Sequence, residues 1–80
     1  MKQIITFSFE NGKSYDIQMD CGQRVKTTLR VLKENIRELE PFLTDVEVRE
    51  KRSGRKIMLE QTYEEAKIYT GFELLVRSKT

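Results

Sequence analysis

A chain of 80 residues, 38% apolar and 35% charged, has room for one domain with one core, so most apolar side chains must serve that core. The formal net charge of +2 does not mark a nucleic-acid binder, and the absence of histidine removes the commonest general base and the commonest metal ligand together. No apolar run is long enough to cross a bilayer, no leader-like segment occurs, and Cys21 has no partner for a disulfide, so a reducing cytoplasm is the expected location.

In chain order, Ile5-Thr6-Phe7-Ser8-Phe9 and Tyr15-Asp16-Ile17-Gln18-Met19 alternate apolar with polar residues and predict two half-buried strands. A two-residue Asn11-Gly12 turn would set Phe7 opposite Asp16 and mix the faces. A three-residue loop of Glu10, Asn11 and Gly12 instead pairs Phe7 with Tyr15 and Ile5 with Ile17, with Gly12 free to take the left-handed conformation. Val25, Leu29, Leu32 and Ile36 then form one stripe of an amphipathic helix. Its start carries no clear cap, and Pro41 sets its expected end near Leu39 or Glu40. Phe42 and Leu43 are expected to pin the following loop to the core.

Val46 and Val48 open a third strand, and Ile57 and Leu59 belong to a fourth. A two-residue Ser53-Gly54 turn would pair Val48 with Leu59 and Glu50 with Ile57. In the irregular stretch 61–69, Tyr63, Ala66 and Ile68 are the expected buried points. After Gly71 a last strand presents Phe72, Leu74 and Val76 on one face and Glu73, Leu75 and Arg77 on the other. The expected architecture is a single α+β domain, 1–80 with a folded part of about 3–77, in which one helix covers one face of a mixed sheet. Ile5, Phe7, Ile17, Leu29, Leu32, Ile57, Ile68 and Leu74 should share its core.

This order, and above all the run from Thr62 to Val76 with its short turn, buried aliphatic residue, Gly71 and final strand, resembles ubiquitin and its relatives over residues 4–76. Within that superfamily the Tyr15-Asp16-Ile17 strand and the spacing from Gly54 to Ile68 look most like the YukD/EsaB group, small bacterial proteins associated with type VII (ESX-like) secretion. The resemblance implies a ubiquitin-like β-grasp with sheet order 2-1-5-3-4, parallel first and fifth strands and a 3₁₀ turn before the last strand. It further implies a cytosolic accessory or regulatory role, with protein partners on the cytosolic face of secretion-machine components. It departs from conjugated modifiers and sulfur carriers, which need a flexible Gly-Gly terminus. Here Arg77-Ser78-Lys79-Thr80 follows, so a non-conjugated, non-enzymatic interaction module is expected.

No catalytic, cofactor or metal site is expected. Cys21 lacks a base and reads as a half-buried loop residue, although Arg24 and a helix N-terminus stand near it in sequence. Glu34, Glu38 and Glu40, scattered among Lys33 and Arg37, read as a solvated helix surface in which an i,i+4 contact such as Glu34 with Glu38 is offset by neighbouring cations. The candidate partner surface is the second hairpin, where Arg49, Lys51, Arg52, Arg55 and Lys56 surround the single anion Glu50, with Met58 and Leu75 as outward apolar positions. Parity puts Arg49, Lys51 and Lys56 on the sheet face away from the helix and Arg52 and Arg55 at the tip. The alternative use of hairpin 49–56 is electrostatic binding of nucleic acid or an anionic membrane surface. Nucleic acid is disfavoured because no aromatic ring sits among the cations to stack a base, and membrane contact would be peripheral at most. Oligomeric state has no sequence signature.

Overall fold

The computed structural model describes residues 2–79. Strands β1 (Lys2–Phe9) and β2 (Ser14–Asp20) form the first hairpin, followed by helix α1 (Val25–Asn35) and a 3₁₀ turn (Arg37–Phe42). Strands β3 (Val46–Glu50), β4 (Lys56–Ile57) and β5 (Glu73–Ser78) complete one sheet of order β2-β1-β5-β3-β4, with β1 and β5 parallel. This is the β-grasp arrangement that the resemblance implied. Alternation along the strands sends Ile5, Phe7, Val48, Ile57, Leu74 and Val76 into one core with Val25, Leu29 and Leu32 of α1. Tyr63, Ala66 and Ile68 close that core as expected, while Ile17 stays half-buried at its edge.

The first hairpin has the expected register, Phe7 opposite Tyr15 and Ile5 opposite Ile17. The Phe9 amide bonds to the Lys13 carbonyl at 2.9 Å, and Gly12 takes φ +84°. The second hairpin departs from expectation. Val48 faces Ile57 rather than Leu59, and the Glu50 amide bonds to the Arg55 carbonyl at 2.9 Å, leaving 51–54 as the loop. The cause is Glu50, which parity turns toward the core side. Its carboxylate accepts the Arg52 amide at 2.7 Å and the Ser53 amide and hydroxyl at 3.1 and 2.9 Å, closing a wider loop around itself. The slip amounts to two residues, so each side chain keeps its face. Lys51 moves out of the strand into the loop, and Leu59 lies beyond β4, half-buried.

Helix α1 also ends earlier than expected, at Asn35. Ile36 leaves helical backbone (φ −122°, ψ 94°), and the Asn35 side chain caps the Val31 carbonyl at 2.8 Å. The 3₁₀ turn then drives Leu39 fully into the core. Pro41 fits where the tighter turn asks no amide of it. The missing N-cap is supplied from afar: the Val25 and Lys26 amides bond to the carbonyls of Gln61 and Leu59, each at 3.0 Å. The segment before β5 is a hydrogen-bonded turn rather than the implied 3₁₀ helix. It is held by a reciprocal capping box in which the Thr62 amide meets the Glu65 carboxylate and the Glu65 amide meets the Thr62 hydroxyl.

Candidate partner-binding surface

Strand pairing sets Arg49 between Lys56 on β4 and Leu75 on β5, all on the sheet face away from α1. The Arg49 guanidinium donates to the Gly54 carbonyl at 2.9 Å and to Glu47 at 3.4 Å, which fixes it along the strand. Lys51, at the start of the loop, reaches Glu73 at 3.3 Å, and the other Glu73 oxygen accepts the Ser8 hydroxyl at 2.7 Å. The Ser8 hydroxyl, with help from Lys51, holds the Glu73 carboxyl below its ordinary value. The Arg52 amide, joined by Ser53, lowers the Glu50 carboxyl in the same way against the opposing effect of burial. Among the described residues, the side chains of Arg52, Arg55 and Lys56 make no hydrogen bond or ion pair, though Arg52 feels the Glu50 charge.

The seven candidate residues therefore do not form one patch. Arg49, Lys56 and Leu75 share the open sheet face. Lys51 and Arg52 line a different groove, and Arg55 sits between the loop and β4. Met58 is 56% exposed and lies in a shallow depression with Glu47, Lys56 and Lys79. By strand register it stands diagonally across β3 from Leu75, about 12 Å away at two strand spacings across and two residues along, with Glu47 and Arg49 between them. The two apolar residues do not combine into a contact surface.

The rest of the open face is a fixed polar network. Thr6 donates to Asp16 at 2.6 Å, and the Ser8 and Ser14 hydroxyls meet at 2.9 Å. Sequence reasoning missed the exposed apolar residues at the other end of the sheet, Ile4 and Tyr69, each 50% exposed. One signal was present: consecutive Ile4 and Ile5 in a strand must point to opposite faces. The structure also corrects the reading of the acidic helix surface. Glu34 pairs with Arg30 at 3.6 Å, while Glu38 lies in the 3₁₀ turn and accepts Lys13 at 2.9 Å and the Tyr15 hydroxyl at 3.0 Å. The hydrogen bond from Lys13 is the main cause of Glu38's lowered pKa. Cys21 is half-buried in the turn before α1, and its carbonyl accepts the Glu64 amide. Among the described residues, no three acidic, cysteine or histidine side chains gather where they could hold a metal ion, and no helix is long and apolar enough to cross a membrane.

No family model and no curated protein matches the chain. Solved structures do. A protein designed on the basis of ubiquitin is similar with a TM-score of 0.79 at 18% identity, covering 99% of this chain and 90% of that one. The C-terminal ubiquitin-like domain of mouse tubulin-specific chaperone e gives a TM-score of 0.69 at 20% identity, covering 98% and 89%. The ubiquitin-like domain of the type VII secretion system protein ECCD1 of Mycobacterium tuberculosis gives 0.63 at 17% identity, covering 98% and 99%. With the strand order and register above, these similarities establish that the chain has the ubiquitin-like β-grasp fold.

Proposed function

We propose that this chain is a non-conjugated ubiquitin-like interaction module, a cytosolic accessory or regulatory factor of the YukD/EsaB kind in a bacterial type VII (ESX-like) secretion system. The observation that carries the interaction reading is the open sheet face, where Arg49, Lys56 and Leu75 adjoin over a rigid polar network. Charge held on a fixed surface steers an acidic protein partner and sets its orientation. The secretion link is supported by the sequence resemblance and by the fold shared with the ECCD1 domain over nearly the full length of both. The non-conjugated reading is supported by the fold shared with ubiquitin-like domains that are parts of larger proteins. Thr80, on which the expectation of no conjugation also bears, lies outside the described residues.

The unpaired Arg52, Arg55 and Lys56 side chains favour a second reading, an electrostatic binder of nucleic acid or anionic membrane. The same experiment separates the two. Binding to purified cytosolic domains of type VII components is measured across a salt titration, with random RNA and anionic vesicles as controls. A protein partner whose affinity falls when Arg49 and Lys56 are changed together to glutamine supports the module. Tight, steeply salt-dependent binding to RNA or vesicles with no protein partner overturns it.

A further inference from the structure

A groove of about 560 Å³ runs between 50–52 of the second hairpin and 70–73 at the start of β5, at the end of the sheet away from Met58. Its two walls are tied together, since the Lys51 amide bonds to the Glu73 carbonyl at 3.0 Å. The far wall is also anchored: the Thr70 hydroxyl accepts the Ile4 amide at 3.2 Å, and the Gly71 amide bonds to the Ile4 carbonyl at 3.2 Å. Phe72 lies half-buried in the groove, with Tyr69 packed edge-to-face against it at 5.9 Å between ring centres. The exposed side chain of Tyr69 extends this aromatic surface beyond the groove, while Ile4 points to the open sheet face.

The charges in this groove are not balanced in what they offer. Glu50 is buried and spends its carboxylate on the loop, and Glu73 is held between Ser8 and Lys51. The Arg52 side chain, on the rim, feels the Glu50 charge but makes no hydrogen bond or ion pair among the described residues, so what the groove offers is a cation beside an aromatic surface. A planar guanidinium favours a carboxylate, and the adjacent rings favour an apolar side chain. We propose that this groove receives a short extended segment of a partner protein, with an apolar residue against Phe72 and Tyr69 and a neighbouring carboxylate on Arg52. The proposal rests on the reading of the chain as an interaction module but not on the open sheet face.

The test uses the isotopically labelled full chain and two synthetic octapeptides, one of alternating leucine and glutamate and one with lysine in place of glutamate. The acidic peptide should shift the amide resonances of Lys51, Arg52 and 70–73, and Arg52→Gln should weaken its binding about threefold to tenfold. Tyr69→Ser, at a half-exposed position, should weaken it as well. Lys56→Gln, on the open face and outside the groove, should leave it unchanged while weakening capture of a type VII component, so the two surfaces fail separately. Equal binding of the lysine peptide, shifts confined to the open face, no shift at millimolar peptide, or an indifferent Arg52→Gln variant would each overturn the groove assignment. So would anionic vesicles shifting the same resonances where the acidic peptide does not.

Discussion

Replacing Leu29 with alanine probes how α1 is seated. Leu29 is 6% exposed and belongs to the core. Truncation removes three carbons, worth about 2.4 kcal/mol at about 0.8 kcal/mol for each buried methylene. The void adds to this. However, Leu29 also borders a surface groove with Leu43, Val46 and Leu59, so part of the space can collapse or open to water. The total should be about 2.5–3.5 kcal/mol, in the lower half of the range for buried leucines. A domain of this size is stable by about 4–12 kcal/mol, so the loss is a large fraction and should lower Tm by about 10–25 °C. The assay is a reversible urea titration, in which the midpoint should fall with the slope unchanged. Val31, 45% exposed on the same helix, is the control. Its change to alanine should stay within about 0.5 kcal/mol, because alanine is the better helix former. A loss below about 0.5 kcal/mol for Leu29→Ala would mean that α1 does not bury this stripe.

Four further outcomes are expected. Gly54→Ala should destabilise by about 1–2 kcal/mol in the same titration through backbone strain, since φ is +70° and an added Cβ would meet no neighbour; an unaffected midpoint would contradict the loop geometry. Glu50 has a folded-state pKa below its ordinary 4.5, so its contribution is complete above that value and is lost as pH falls through the folded pKa. Glu50→Gln should therefore reduce the acid-side slope of stability against pH, and an unchanged slope would refute the carboxylate's part in closing the loop. Changing Arg52 and Arg55 together to glutamine should leave the denaturation midpoint within about 0.5 kcal/mol, since exposed charges add little to folding; a larger drop would show that the loop depends on them. Incubation with ATP and a bacterial extract should give no adenylate and no higher-mass conjugate, and an isopeptide or thiocarboxylate detected by mass spectrometry would sink the non-conjugated reading.

What the sequence by itself determined was which way each side chain faces. Period-two alternation put Ile5, Phe7, Leu74 and Val76 inward, and the mismatch of faces in a two-residue turn forced the three-residue loop and register of the first hairpin. The helix stripe at Val25, Leu29 and Leu32 was legible for the same reason, because burial repeats with the backbone period. Parity could not decide anything that a shift of two residues leaves intact. The second hairpin kept its faces while its register moved, and only the inward Glu50, short of partners until it captured the amides of 52 and 53, selected the wider loop. Helix ends were decided in the same way. The start of α1 is capped by carbonyls from 59 and 61, far along the chain, and its end is set by the need to bury Leu39. The candidate surface shows the limit most clearly. Adjacent in sequence, the hairpin cations divide between the open sheet face and the groove. The groove exists only because the pairing of β5 with β3 carries Thr70, Gly71 and Phe72 to the loop of the second hairpin, a contact between residues some twenty positions apart that no local pattern encodes.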